Sequence, residues 1–388
     1  MGMANSVFAA CGTTIFETMS RLAQAHGAVN LGQGFPEGLE PPALIERLAA
    51  AAAEGPHQYP SMMGLPELRA AIAAHEAAHW GRANGAEAVP EAVMVTSGAT
   101  EALAACLFAL IEPGDEVVLF EPLYDSYLPI IRRAGGVPRL VRLEPPHWSL
   151  PRQALAAAFG PRTRVVVLNS PGNPCGKVWE EDELSFLAGL MEAHDAVAVC
   201  DEVYEHLVYG DRRHLGLAGL PGMAARCAKI GSAGKVFSLT GWKVGWVVAE
   251  PALLTPIAKA HQYLTFTTAP ALQRAVAWGL EHQRDYYQGL AGVLQARRDR
   301  LSAGLARLGF GVLETAGSYF LSADIRPLSG GGDDRAFCTR LIEEAGVAAI
   351  PVSAFYDSAP PTHLVRFCFA KTDAMIDEAL ARLGRVFG

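Results

Sequence analysis

A lysine enclosed by glycines is the first feature of this chain that invites chemistry. The stretch Gly231-Ser232-Ala233-Gly234-Lys235-Val236-Phe237 sets Lys235 in a small-residue turn directly after an apolar run. A lysine drawn out of water loses its proton more readily and becomes an amine nucleophile toward an aldehyde. The plainer alternative is a surface turn whose lysine stem lies on apolar neighbours. Ser232 and Lys243 stand on either side, a hydroxyl and a cation suited to a phosphate. A second candidate is Asp201, which follows the apolar run Ala198-Val199-Cys200 and precedes Glu202-Val203-Tyr204. A carboxylate there is costly to bury without a partner, so it is either a helix cap or the acceptor for a protonated ring nitrogen. The third is Thr96-Ser97-Gly98-Ala99-Thr100, where a strand gives way to a helix. Free N–H groups at such a helix start bind anions, although a plain capped helix is the simpler reading of that segment alone.

These residues need elements to place them. Val- and Ile-rich runs at 92–96, 116–120, 165–169, 196–200, 228–231 and 245–249 read as buried parallel strands. Helical patterns at 100–111 and 180–194 lie between them, which implies an α/β sheet covered by helices on both faces. In such a sheet, ligands bind beyond the carboxyl ends of the strands, where the candidate residues fall together with Tyr124 and Asn169 to Asn173. Past residue 270 the pattern changes to long helices, 271–280 and 285–308. Short strands (318–323, 364–369) and helices (334–345, 374–387) follow. The expected organisation is an N-terminal arm and part of a small domain at 1–44, a large α/β domain at 45–284, and a smaller α+β domain at 285–388.

Composition narrows the class. The chain has 388 residues, 51% of them hydrophobic and 19% charged, enough for a large core and too apolar for disorder. Lys and Arg number 32 against 40 Asp and Glu, a net charge of −8, the wrong sign for a nucleic-acid footprint. The longest clean apolar run, 102–111, is far below the ~20 residues of a membrane span. The N-terminal stretch has no basic segment before Arg21, so no secretory signal is expected. Gly2 with Ser6 matches a myristoylation pattern, and the residues before Cys11 resemble a lipoprotein cleavage site, both without supporting context. Seven cysteines with no CxxC pair read as reduced thiols of a cytoplasmic protein, with no metal site expected.

Taken in order, the motifs resemble the class I/II aminotransferases of the pyridoxal-phosphate fold-type I superfamily, over nearly the whole chain. They include Val29-Asn30-Leu31-Gly32-Gln33-Gly34-Phe35-Pro36, Gln58-Tyr59-Pro60 and Glu121-Pro122-Leu123-Tyr124-Asp125-Ser126-Tyr127. They continue with 169–177, Asp201-Glu202-Val203-Tyr204-Glu205-His206, 232–246 and Val365-Arg366-Phe367-Cys368-Phe369. Within the family the chain looks most like the kynurenine/glutamine aminotransferases, bacterial methionine aminotransferases and certain N-succinyldiaminopimelate aminotransferases. The resemblance implies a fold of mainly parallel sheet and a pyridoxal 5'-phosphate cofactor. It implies that Lys235 carries the cofactor and that its amine then moves the substrate Cα proton. Asp201 pairs with the protonated pyridine nitrogen, which favours electron withdrawal from Cα. Tyr204 and Asn173 bond the phenolic oxygen, and Tyr124 stacks on the ring. Gly98, Ala99, Thr100, Ser232 and Lys243 hold the phosphate. Tyr59 reaches that phosphate from the other subunit, making a homodimer part of the site. Arg366 binds the substrate α-carboxylate as a bidentate fork, assisted by Asn173 and Gly34; a salt bridge within the small domain is its bland alternative. His206, Asp125 and Trp242 are expected to pack around the site. Phe16, Phe35, Tyr124, Phe266 and Phe355 are candidates for the donor-pocket wall and favour methionine or aromatic donors. Lys243 stands where many relatives carry Arg, and Gly234 where Ser or Ala is usual.

Other classes fare worse. Ser232-Ala233-Gly234-Lys235 fits the SxxK motif, but no SDN or KTG element follows. Val236 after the lysine excludes a P-loop, and Pro36 spoils a dinucleotide fingerprint at Gly32. A regulator carrying an aminotransferase-like domain would need a DNA-binding domain for which 1–44 leaves no room. The remaining alternatives share the cofactor: N-succinyldiaminopimelate transamination, or carbon–sulfur β-elimination, which begins with the same Cα proton.

Overall fold

The computed structural model describes residues 5–80 and 89–388; Gly2 of the lipidation pattern lies outside them. Its centre is a seven-stranded sheet. The strands run in the order Val93–Thr96, Gly245–Val248, Cys227–Ser232, Val197–Asp201, Thr163–Asn169, Glu116–Glu121 and Val137–Arg142. Val117, Val118, Leu119, Val165 and Val166 are fully buried, which is why these strands read as unbroken apolar runs rather than as alternation. Helices follow from local signals. Ala99–Leu110 starts at Gly98, whose φ of 83° turns the chain out of the strand, and Glu101 reaches back to accept from the Ser97 amide. Glu181–Ala193 opens with a reciprocal capping box between Glu180 and Glu183. Arg284–Arg307 buries Tyr287, Leu290, Leu294, Leu301 and Leu305, spaced so that they share one face.

The sequence reading needs two corrections. Gly245–Val248 runs antiparallel to both neighbours, not parallel, because a short turn after Lys235 leads straight back along the sheet. Val137–Arg142 is a strand that the apolar runs did not reveal. It is the sheet's outer edge and only Val141 is buried, so no continuous apolar run marks it.

A second, antiparallel sheet orders Ile350–Pro351, Leu364–Cys368, Phe320–Asp324 and Gly311–Val312. The N-terminal segment joins that part of the molecule: Val29–Asn30 pairs with Val347–Ala348. Asn30 Oδ1 accepts from the amides of Gly32 and Gln33 at 3.0 Å each and shapes the loop that follows. Six cysteines are buried and Cys11 is exposed. Among the described residues, no helix is long and apolar enough to cross a membrane.

Candidate active site

The parallel strands end side by side at Asn169, Asp201 and Ser232, and Thr96 and Ser232 both pair with Gly245. Beyond these ends lies a cavity of about 320 Å³. Gly34, Gly98, Ala99, Thr100, Tyr124, Asn173, Asp201, Tyr204, Ser232, Lys235, Lys243 and Arg366 all line it. Residues separated by more than three hundred positions thus share one hollow, as the strand-end rule anticipates.

Lys235 sits in the one-turn helix Ala233–Val236. Its Nζ donates to the Tyr319 hydroxyl at 2.8 Å. Burial, aided by the charges of Lys243 and Arg366, brings its pKa down to about 8. A solvated surface lysine would not show this; the site favours a partly neutral amine.

No helix starts at Asp201, so it is not a cap. It is buried, its Oδ2 accepts from the Tyr127 hydroxyl at 2.6 Å, and its Oδ1 has no hydrogen-bond partner among the described residues. Burial raises its pKa, opposed by the Tyr127 bond, the Val203 amide and the nearby Lys235 charge. A buried carboxylate oxygen facing a cavity without a donor is costly, and a cationic N–H from a ligand relieves that cost.

The phosphate-type cradle is built from backbone. Gly98 is the N-cap of the twelve-residue helix Ala99–Leu110 and carries no capping side chain, so its first amides stay available. Lys243 holds a left-handed φ of 54° beside it; a Cβ on Gly98 would stand 3.3 Å from Lys243 Nζ. A Cβ on Gly245 would come within 2.7 Å of the Gly98 carbonyl carbon, so the strand can pass this close only as glycine.

At the other end, Asn169 organises the loop after its strand. Its Nδ2 donates to the Asp201 carbonyl and its Oδ1 accepts the Asn173 amide. Asn173 Oδ1 in turn accepts from Arg366 Nη1 at 2.8 Å, and Arg366 Nη2 donates to the Gly32 carbonyl at 2.7 Å. Arg366 is 1% exposed, lies 3.9 Å over the Phe320 ring, and its Nε has no hydrogen-bond partner among the described residues. Burial lowers its pKa to about 10. Among the described residues it makes no ion pair, so the internal salt bridge is not its role here. A buried guanidinium without a carboxylate is a binding group for one.

Tyr204 is buried with its ring 5.5 Å from Lys235 Nζ, and burial raises its pKa. Phe16 and Phe35 line the cavity with Gln33, while Phe355 stacks 5.0 Å from the Arg366 guanidinium. Tyr59 and Phe266 do not reach this chain's cavity. Tyr59 is 83% exposed and meets Phe266 edge to face, 5.6 Å between centroids. Two contributors escaped sequence reasoning: Tyr127, the partner of Asp201, and Tyr319, the partner of Lys235. Tyr127 closes a motif already quoted, five residues past Pro122; Tyr319 has only the small pair Gly317-Ser318 before it as a signal.

Comparison with known proteins gives the same outline. The model of the family "Aminotransferase class I and II" matches residues 26–383. The probable N-succinyldiaminopimelate aminotransferase of Mycobacterium tuberculosis is 46% identical over 383 residues, covering 96% of this chain and 95% of that protein. The methionine aminotransferase of Escherichia coli is 41% identical over 372 residues, with 96% and 95% covered. The solved N-succinyldiaminopimelate aminotransferase from Mycobacterium tuberculosis superposes with a TM-score of 0.95 at 46% identity, over 99% of this chain and all of that one. With strand-end cavity, buried lysine and family match agreeing over nearly its full length, the chain belongs to the class I and II aminotransferases and is an aminotransferase.

Proposed function

We propose that this aminotransferase uses pyridoxal 5'-phosphate and moves the amino group of a neutral L-amino acid, of methionine, aromatic, kynurenine or glutamine type, to a 2-oxo acid in a ping-pong cycle. The observation that carries the cofactor is the orphaned Asp201 Oδ1, an acceptor waiting for a cationic ring N–H at the floor of the cavity. The remaining residues fit the same group. Gly98, Ala99, Thr100, Ser232 and Lys243 would hold its phosphate, Tyr204 and Asn173 its phenolic oxygen, and Tyr124 its ring face. When bound, pyridoxal phosphate supplies the electron sink and the carrier of the amino group. Lys235, with its amine brought down to about 8, holds the cofactor and takes the proton from the donor Cα. Arg366 fixes the donor's α-carboxylate, supported by Asn173 and the Gly32–Gly34 loop.

The donor class rests on the cavity wall. Phe16, Phe35, Tyr124 and Phe320 are aromatic and Gln33 is neutral. The described lining cations are Lys235, Lys243 and Arg366, all with assigned tasks. The second reading, a succinylated dicarboxylate donor, is favoured by the 46% identity to the mycobacterial protein. It calls for a further cation at the far end of the donor. We further propose the three-part division 1–44, 45–284 and 285–388, a cytoplasmic location, and a homodimer in which Tyr59 of each subunit serves the other's phosphate. The exposed Tyr59 and Phe266 pair supports that last point.

A half-reaction screen tests the proposal. Cofactor-loaded protein is mixed with single amino acids, without a 2-oxo acid, while the visible absorption is followed. Bleaching by methionine or phenylalanine, with the matching 2-oxo acid formed, supports the main reading. Bleaching by N-succinyl-diaminopimelate alone selects the second. Ammonia and pyruvate with the band intact would show a β-lyase.

A further inference from the structure

Tyr319 is completely buried, and its hydroxyl bonds to two groups 84 and 285 residues away and also meets the Tyr204 hydroxyl. One is Lys235 Nζ at 2.8 Å, the other the Gly34 carbonyl at 2.9 Å. The Gly34 carbonyl only accepts and the Tyr204 hydroxyl can accept, so the phenol hydrogen is drawn to that side, away from Lys235. The tyrosine oxygen therefore meets Lys235 as an acceptor. A neutral amine has two N–H bonds and one lone pair. With one N–H pointed at Tyr319, the lone pair is turned away from it.

The ring that carries this hydroxyl is firmly held. It lies edge-on to Tyr204, 5.0 Å between centroids, and against Phe320 at 4.8 Å. The preceding residue, Ser318, is a buried non-glycine with φ of 61°. Its amide donates to the Leu207 carbonyl and its own carbonyl accepts from the Tyr209 hydroxyl. A left-handed serine maintained by its surroundings is the kind of local strain that persists where a side chain must be aimed.

We propose that Tyr319 is a positioning residue for the proton-transferring amine: it accepts one N–H of Lys235 and directs the lone pair into the cavity, with its own hydrogen turned toward Gly34 and Tyr204. The proposal rests on Lys235 being that amine. It also makes the Gly34 loop part of the amine's support.

Tyr319→Phe keeps the ring and removes the oxygen. The first measurement uses cofactor-free protein. Trace acylation of Lys235 by acetic anhydride is followed against pH and read by peptide mass spectrometry. An acceptor oxygen favours the ammonium form, so its loss is expected to lower the half-titration point by about 0.5–1 unit. The second is the single-turnover rate with methionine, or whichever donor reacts with the parent. A fall of about 10- to 100-fold is expected, a fraction of what a positioned proton-transfer group contributes, with donor affinity little changed. An unshifted half-point or a parental rate overturns the proposal. If the Phe variant melts early, 3-fluorotyrosine at position 319 keeps the shape with a weaker acceptor oxygen. A smaller shift in the same direction then supports the proposal, and none overturns it. Because acylation is read without cofactor, a parent that binds no cofactor at Lys235 defeats the functional reading separately.

Discussion

Lys235 is where sequence and site meet most directly. Its free amine titrates near 8 instead of its usual 10.5, because the cavity withholds water and two cations stand close. In the cofactor-free protein the neutral fraction, and with it the rate of Lys235 acylation by acetic anhydride, is expected to rise with pH through about 8. Stability moves with the same group. Below pH 8 the folded and unfolded states both carry the proton, and the folded state bears the full cost of a desolvated charge. Between 8 and 10.5 only the unfolded state keeps it, so the cost fades as pH rises. Lys235→Met should therefore abolish turnover and raise the melting temperature of the cofactor-free protein by a few degrees at pH 7, with the gain shrinking toward pH 10. Differential scanning calorimetry across that range checks it. Lys235 and Asp201 stood out in sequence as polar residues directly after apolar runs, but Asp201 read alone as a cap and Arg366 as a salt bridge, and only the family resemblance gave them their expected roles. Tyr319 did not stand out, since nothing local marks it; its meaning comes from partners brought to it by the fold.

At the scale of elements, the proposed phosphate end depends on strands and a helix crossing closely. Gly245 pairs with Thr96 on one side and Ser232 on the other, and its missing side chain leaves room for the Gly98 turn. Gly245→Ala puts a methyl 2.7 Å from the Gly98 carbonyl carbon. The turn must move, at a cost of about 1–3 kcal/mol. We expect cofactor affinity to weaken at least 10-fold while donor selectivity is retained, as measured by equilibrium titration of the apoenzyme and by the half-reaction screen. The strands themselves were mostly legible, because burial on both faces leaves a continuous apolar signature. Direction was not: the run that became Gly245–Val248 reads alike whether it continues the parallel series or doubles back. The edge strand Val137–Arg142 was invisible for the opposite reason, too little of it being buried.

For the molecule as a whole, the site draws on the N-terminal loop, the central sheet and the antiparallel sheet at once, and the proposed dimer adds Tyr59. Hybrid dimers test that addition. Lys235→Ala and Tyr59→Ala subunits are mixed, unfolded and refolded together, then assayed at limiting cofactor. If Tyr59 serves the neighbouring subunit, each hybrid holds one site free of both substitutions. Half the dimers are hybrids, so about a quarter of the wild-type sites return. If it serves its own subunit, activity stays at the level of the Tyr59 variant alone. The cavity's charge distribution also has a practical side. One end gathers helix amides and Lys243, and the other holds Arg366, which makes no ion pair among the described residues. Small anions are drawn to both ends, so phosphate buffer competes with cofactor loading while acetate or maleate competes with the donor. An assay run in either salt would record a slower enzyme than one run in a cationic buffer with chloride kept low.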